Sequence, residues 1–358
     1  MPDHNHRAAD VLGRLILPGR KHTALLQWLL SADPRLAFQN WLAQVNDPSK
    51  EVQAWPPAER GLLAHLGYVV RQYGLPAPNA FAHHVRTAEI HESFRAQTYA
   101  RILDEVVRIA EPVGEPMLYV LGMPMDALYP REGLRHHGHC ILALPSSRAA
   151  VGLATALHAT GYEPQPSRAP GQHVLLRHRS GFLVKVQVAF PLSAMGRDFE
   201  TIYEEGRPWR GSLIRGPSLP DSMVEMLSAV AHDGSRRHLD WLIDAYYCCS
   251  RMKPAELDAF LRVARQNGLH RLAAIVLEFF CAHISPMQSM PDFSDAKQSA
   301  LSFPERLFLV SALRARRWRA PLAFKTYAIS PGLLRHALWP DGDVAGWFAE
   351  QKRRLAWP

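Results

Sequence analysis

The sequence has few cysteines, and none of them is arranged as in a disulfide framework or a metal site. Only 4 of its 358 residues are cysteines, namely Cys140, Cys248, Cys249 and Cys281, and no C-x-x-C pair occurs. The adjacent Cys248 and Cys249 are too close in the chain for an ordinary structural disulfide. This usage excludes a disulfide-stapled secreted scaffold and favours reduced thiols in the cytoplasm.

A hydrophobic run long enough to span a membrane is also lacking. The most apolar stretch, residues 272–284, is interrupted by Glu278 and His283, and it is shorter than the roughly 18 to 20 residues of a transmembrane helix. Near the N-terminus, three charged side chains precede a very short apolar run, which is not the pattern of a signal peptide. We therefore expect neither membrane insertion nor export.

Acidic residues are outnumbered by basic ones. There are 33 Asp and Glu against 41 Lys and Arg, which gives a net charge of +8. Such an excess favours nucleotides, nucleic acid or an acidic protein face as partners, although an ordinary solvated surface also explains it. With 47% hydrophobic and 21% charged residues, and no internal repeat, the composition is that of a chain that folds throughout.

The spacing of apolar residues divides the chain into three regions, residues 1–112, 113–215 and 216–358. The first and last have apolar residues at helical spacing, whereas the middle one has short runs rich in β-forming residues. Strands are predicted at residues 117–121, 140–144, 173–178 and 182–190, with a helix between the second and third. The Pro- and Gly-rich residues 207–220 predict a long loop. The predicted class is α+β, a small mixed sheet flanked by helical regions.

The segment LYVLGMPMDALYPREGLRHHGHCILALP, residues 118–145, contains Gly122, Leu128-Tyr129-Pro130, Arg135 and Gly138. It resembles a bacterial family of nucleotidyltransferase-like proteins of the polymerase-β type, whose usual pattern is Leu-Lys-Gly, Leu-Tyr-Pro, an Arg and then Gly-Asp-x-Asp-Leu-Leu-Val. The resemblance extends over about residues 20–285. It implies a nucleotidyltransferase-like core at residues 113–215 and assigns Gly122, Arg135 and Gly138 to the binding of a nucleotide or another anion.

The carboxylates that such a fold normally uses are replaced. In the family, two aspartates alternate on one strand and a third acid projects from a neighbouring strand, so that together they hold two metal ions. Aligned through Gly138, these positions are His139, Ile141 and Lys185, and the family's lysine is Leu121. Isoleucine does not ligate a metal, an ammonium repels one, and histidine suits zinc or copper better than magnesium. The catalytic motif is thus degenerate, and no catalytic residue is assigned.

These replacements predict a pseudo-nucleotidyltransferase that works as a binding or accessory module beside a protein or peptide partner. A fixed ammonium at Lys185 could take the charge position of a lost metal and, with Arg135, bind a nucleotide or another anionic small molecule. The alternative for Lys185 is an ordinary lysine at a sheet edge. No cofactor is expected under this interpretation.

Two other functions stay open. An active transferase would have relocated its ligands, recruiting Mg²⁺ through Asp126, Glu132 or an acid of the helical regions. A nucleic-acid-binding protein would use the basic segments RARRWR and QKRRLAW near the C-terminus, which interleave arginines with tryptophans. Amphipathic helix packing explains these segments as well, and no standard nucleic-acid motif is present.

A cluster formed by His136, His137, His139 and Cys140 is a further candidate, for a transition-metal site. Neighbouring residues on a strand point to opposite faces, so His139 and Cys140 do not easily share one ion. Loop histidines near solvent are the simpler interpretation, and no metal site is predicted.

Overall fold

The computed structural model describes residues 12–13, 16–120, 123–166, 173–188, 197–210, 213–232, 239–285 and 302. These residues form an α+β structure of helices and one mixed sheet, as predicted. None of the described helices is both long and apolar enough to cross a membrane. All four cysteines lie in this part of the chain and remain thiols.

Contacts within the chain define two compact units, each built from separate segments. The helical unit comprises the described residues of Met1–Ala96, Asp126–His136 and Met226–Ala323, and the sheet unit comprises those of Gln97–Met125 and His137–Glu225. Along the chain, helices precede the strands and follow them again, but the two units interleave instead of following one another.

The described helices are α1 (Arg20–Leu30), α2 (Pro34–Leu42), α3 (Pro48–Gln53), α4 (Pro57–Arg60), α5 (Leu63–Gln72), α6 (Asn79–Ala110), α7 (Met123–Asp126), α8 (Ser147–Ala159), α9 (Phe199–Glu204), α10 (Leu219–His232), α11 (Asp240–Arg251), α12 (Pro254–Gln266) and α13 (His270–His283). Sequence signals set several starts. Asp33 and Asp47 cap α2 and α3 by accepting hydrogen bonds from backbone amides of the first turn, and a proline follows each. Ser146 caps α8 in the same way.

In the helical unit, aromatic rings form the core where α1, α2 and α6 meet. The ring centroid of Trp28 lies 4.6 Å from that of Phe38, 5.2 Å from that of Trp41 and 6.0 Å from that of Phe81. All four side chains are fully buried. Helices α5 and α6 approach closely at Gly67, where an added Cβ would lie 2.6 Å from the Val85 carbonyl oxygen.

The strands are β1 (Met117–Tyr119), β2 (His139–Leu144), β3 (Glu163–Gln165), β4 (His173–Arg177), β5 (Leu183–Val188), β6 (Arg207–Arg210) and β7 (Ile214–Gly216), in the spatial order β3-β4-β5-β2-β1-β7-β6. The pairs β2/β5 and β1/β7 are parallel, and the other neighbouring pairs are antiparallel. The central strand pair, β2 and β5, is in register over six residue pairs.

One face of the sheet forms the core of the sheet unit. Alternate residues of β2 and β5, such as Leu142 and Val186, are buried there together with Leu153 of α8 and Val106 of α6. Each large aliphatic side chain removed from water in this way stabilises the fold by about 1.5–3 kcal/mol. The opposite face of the same strands carries His139, Ile141 and Ala143 of β2 and Leu183, Lys185 and Gln187 of β5.

The predicted loop over residues 207–220 is wrong in its first part, since β6 and β7 lie there. Pro208 is in β6, which is the last strand at its edge of the sheet, and an edge strand tolerates a residue that lacks a backbone donor. Proline and glycine in a short segment predict a turn from sequence. Here the pairing of β6 with β7 makes the segment a strand instead.

Candidate functional site

The register of β2 and β5 brings the three degenerate motif positions to one face of the sheet. Ile141 pairs directly with Lys185, and His139 lies two residues before Ile141 on the same strand. Because side chains alternate along a strand, all three point away from the face that buries Cys140 and Leu142. His139 is exposed, whereas Ile141 and Lys185 are half-buried. The alignment on Gly138 thus selects three neighbours in space.

Strand β4 adds basic side chains to this face. Leu175 pairs with Lys185 and His173 pairs with Gln187, so His173 and Arg177 occupy the two diagonal positions beside Lys185. Diagonal positions are within reach of long side chains. Arg177 is ion-paired with Glu163 of the edge strand β3, with 2.8 Å between Nη2 and Oε2. Among the face residues of β2, β4 and β5 there is no carboxylate.

The titration of His173 reflects this arrangement. Burial, then Lys185, and then His139 lower the pKa of His173 from 6.5 to about 4. All three causes disfavour the imidazolium, so His173 is neutral at neutral pH. Lys185 is diagonal to both histidines, to His139 on β2 and to His173 on β4. We call His139, His173 and Lys185 the basic face cluster.

No group of three or more His, Cys, Asp or Glu in the described part of the chain is placed to hold a metal ion. The basic face cluster offers imidazole nitrogens and an ammonium where a hard cation such as Mg²⁺ requires oxygen ligands. What this face can do chemically is donate hydrogen bonds and positive charge to an anion.

Arg135 lies in the helical unit, where its partner is Asp244 of α11. Arg135 Nη2 lies 2.8 Å from Asp244 Oδ2, and Nε lies 2.9 Å from Oδ1, so the contact is bidentate. The two side chains are only 15% and 6% exposed. Although burial lowers the pKa of Arg135, the Asp244 carboxylate outweighs burial and raises it. The guanidinium is thus engaged inside the protein, and its assignment to anion binding stays a prediction.

Tyr129, from the Leu-Tyr-Pro motif, joins the same cluster. Its hydroxyl donates a hydrogen bond of 2.7 Å to Asp244 Oδ1. Burial and then the Asp244 charge raise the pKa of this hydroxyl well above 10, so it stays a donor. In the loop between Tyr129 and Arg135, Gly133 has a φ of +79° and donates its amide to Asp126 Oδ2 at 3.3 Å. These motif residues fix the loop to the helical unit.

His65 is a fully buried neighbour of this cluster that sequence reasoning did not single out. Its Nε2 lies 3.1 Å from the Tyr247 hydroxyl, and its ring lies 5.7 Å from the Tyr129 ring. Burial lowers the pKa of His65 from 6.5 to about 3. A single histidine in an apolar helix gives no local signal of such a contact, because its partners come from distant segments.

The positions of the remaining predicted residues do not indicate a binding site. Gly138 precedes β2 and is exposed, and a Cβ there would meet no atom of the described chain within 4 Å. Of the acids considered for Mg²⁺, Asp126 is buried and holds Gly133, whereas Glu132 is exposed. Gly122 and the C-terminal basic segments RARRWR and QKRRLAW lie outside the described residues.

His173 is the functional candidate that the sequence analysis missed. Its signal was the alternation of β4, in which His173, Leu175 and Arg177 share one face. Which face that is follows only from the pairing of β4 with β5, and the pairing is not visible in β4 alone.

Comparison with known proteins yields little. No known protein family and no curated protein matches the chain. Among solved structures, the solution structure of the antibiotic-resistance factor ANT(2'')-Ia, an aminoglycoside nucleotidyltransferase, matches with 15% identity and a TM-score of 0.37. The match covers 52% of this chain and 99% of that one. A similarity this weak supports no conclusion about activity.

Proposed function

We propose that the chain is a nucleotidyltransferase-like protein that does not catalyse nucleotidyl transfer and instead binds a nucleotide or a related anion on the face of its sheet that carries Lys185. The observation that carries the proposal is the register of β2 and β5. It places His139, Ile141 and Lys185 side by side at the positions where the resemblance expects three metal-binding acids.

The chemistry of these side chains opposes two-metal catalysis and favours a metal-free anion site. A lysine ammonium where a metal ion would sit supplies a positive charge to a phosphate without needing carboxylates to hold it. Isoleucine contributes no ligand. We assign a contact with the anion to Lys185, and the Arg135 guanidinium is held by Asp244. A role beside a protein or peptide partner is part of this proposal.

The test is isothermal calorimetry with ATP, GTP, CTP and UTP, each with and without Mg²⁺, followed by analysis of the recovered nucleotide. We expect at least one nucleotide to bind without Mg²⁺ and to be recovered intact. Binding that requires Mg²⁺, together with consumption of the nucleotide, would show an active transferase and refute the proposal. Absence of binding by all four would refute it as well.

A pair of charge reversals locates the site. Lys185→Glu should weaken the binding by about tenfold to hundredfold, since a hydrogen bond to a charged group is worth roughly 1.5–3 kcal/mol. The matched control is Lys50→Glu, which makes the same change of charge on α3, where the lysine side chain is 84% exposed. Equal weakening by both variants would mean that only net charge matters, and that the face of the sheet is not the site.

A further inference from the structure

Lys185 is surrounded on its face of the sheet by side chains that can carry positive charge. It pairs with Leu175 on β4 and with Ile141 on β2. Its diagonal neighbours are therefore His173 and Arg177 on one side and His139 on the other. Same-face neighbours of this kind lie roughly 7–8 Å apart at Cα, so long side chains can converge on one bound group.

These neighbours differ in what they have to offer a ligand. Arg177 is balanced by Glu163 at the edge of the sheet. His139 is exposed to solvent at the start of β2, whereas His173 is half-buried at the start of β4. Of the two histidines diagonal to Lys185, His173 is thus the less exposed.

The groups that face His173 account for its neutral state. On β5, Gln187 pairs with His173 and Lys185 is diagonal to it. His139 of β2 and Arg177 of β4 both lie level with Leu183, four residues further along the strands. From β3, Gln165 and the paired Glu163 lie on this face further along β4. In this set, the Glu163 carboxylate is ion-paired with Arg177. Together with burial, the positive neighbours lower the pKa of His173 to about 4.

We propose that His173 is the second cationic group of the anion site, so that a phosphate group bound at Lys185 is bound together with one proton, which His173 takes up. This rests on the proposed function, because it names the ligand class and the proton coupling of the same site. The phosphate offsets the repulsion by Lys185 and accepts a hydrogen bond from the imidazolium. No bond is made or broken, and the proton comes from solvent.

The proposal predicts how binding depends on pH. In the unliganded protein, His173 is neutral down to about pH 4. If the bound phosphate raises that pKa to roughly 6 or 7, the ligand binds about twofold to tenfold more tightly at pH 6 than at pH 8. The direction follows from linkage, since a complex that takes up a proton is favoured as the pH falls.

The experiment measures the dissociation constant of whichever of the four nucleotides binds, at pH 6, 7 and 8, for the wild type, His173→Gln and His83→Gln. The ligand's own ionisation is common to all three proteins, so it cancels in the comparison. His83 is exposed on α6 in the helical unit and provides the same substitution elsewhere. We expect His83→Gln to keep the pH dependence of the wild type and His173→Gln to lose the His173 part of it.

Inorganic triphosphate is titrated in parallel to separate phosphate recognition from nucleoside recognition. If the phosphate group is what the cluster binds, triphosphate shows the same difference between the wild type and His173→Gln. NMR titration of the His173 imidazole provides a readout that does not depend on the variant folding, and its pKa should rise on binding.

The outcomes separate the two proposals. A wild type that binds none of the nucleotides refutes both. A wild type that binds a nucleotide with the same pH dependence as His173→Gln, and with no rise in the pKa of His173, overturns only the role of His173. A pH dependence lost in both histidine variants also overturns it, because the effect is then not specific to this site.

Discussion

The helical unit and the sheet unit treat positive charge in opposite ways. In the helical unit, the buried guanidinium of Arg135 is neutralised by a bidentate carboxylate, Asp244, which also accepts from Tyr129. In the sheet unit, Lys185 stands between two histidines on a face where β2, β4 and β5 carry no carboxylate. One cluster pairs a cation with a carboxylate, and the other places Lys185 diagonal to His139 and to His173 on neighbouring strands.

This difference shows that a residue can match a family motif and still have a structural contact. Tyr129 and Arg135 match the family pattern, yet the structure uses them to hold a loop against α11. The positions that depart from the pattern, such as Ile141 and Lys185, share one face of the sheet and are half-buried. A matching residue is therefore not by itself evidence of a binding site.

The largest expected effect comes from removing the carboxylate that Arg135 and Tyr129 share. Asp244→Asn should reduce the free energy of unfolding by about 3–5 kcal/mol, because it leaves the largely buried Arg135 charge without its partner. Urea denaturation measures this. The double variant Arg135→Met/Asp244→Leu should recover most of the loss, since it removes both charges together. A loss below about 1 kcal/mol in the single variant would show that the pair contributes as little as an exposed ion pair.

The second prediction concerns a variant in which three residues of the sheet face are replaced by carboxylates. The triple variant His139→Asp/Ile141→Asp/Lys185→Asp should bind Mn²⁺ at least about tenfold more tightly than the wild type, because converging carboxylates are what hard cations require. Electron paramagnetic resonance of Mn²⁺ gives the bound fraction. The triple Asn variant at the same positions is the uncharged control and should bind no better than the wild type. Equal binding by both triple variants would show that these positions do not share a metal.

The third prediction concerns acid stability of the helical unit. The unfolded chain protonates His65 below its ordinary pKa of 6.5, whereas the folded chain does so only near pH 3. The unfolded state therefore binds more protons between these values, and stability falls as the pH falls through that window. From pH 7.5 to 5.5 this group should reduce the free energy of unfolding by about 1.4 kcal/mol.

The measurement for His65 is urea denaturation at both pH values, for the wild type and His65→Gln. Other groups titrate in both proteins, so the difference between the two pH dependences isolates His65. A dependence that is the same in the variant would mean that the imidazole is not held neutral by burial.

The smallest expected effect concerns the basic face cluster. Lys185→Met should raise the pKa of His173 but leave it below 6.5, because burial is the larger cause of the shift and remains in the variant. NMR titration of the imidazole measures this. An unchanged pKa would mean that Lys185 does not act on His173, and the contrast between the two units would then lose its electrostatic basis.

Sequence periodicity predicted the α+β class and the four strands β1, β2, β4 and β5, because alternation and apolar runs are local properties. It missed β3, β6 and β7, which are three or four residues long and carry Pro164, Pro208 or Gly216. Such segments become strands only through the neighbours with which they pair.

The candidate site divides in the same way. The resemblance placed His139, Ile141 and Lys185 at related positions, because the motif spacing fixes the first two and a strand pattern fixes the third. His173 could not be assigned from sequence, and neither could the pairing of Asp244 with Arg135. The Arg135–Asp244 pair joins residues 109 apart, and no pattern within either segment identifies the other. The binding of an anion by Lys185 and Arg135 stays a prediction.

The interleaving of the two units also dictates an order of events during synthesis. The hydrogen bond between Tyr129 and Asp244 joins residues 115 positions apart, and the intervening chain contains most of the sheet. The helical unit therefore stays incomplete on the ribosome until α11 has emerged, even though its first five helices are made much earlier. Until then, Arg135 cannot form its ion pair with Asp244, and its guanidinium stays hydrated while β2 to β7 are synthesised.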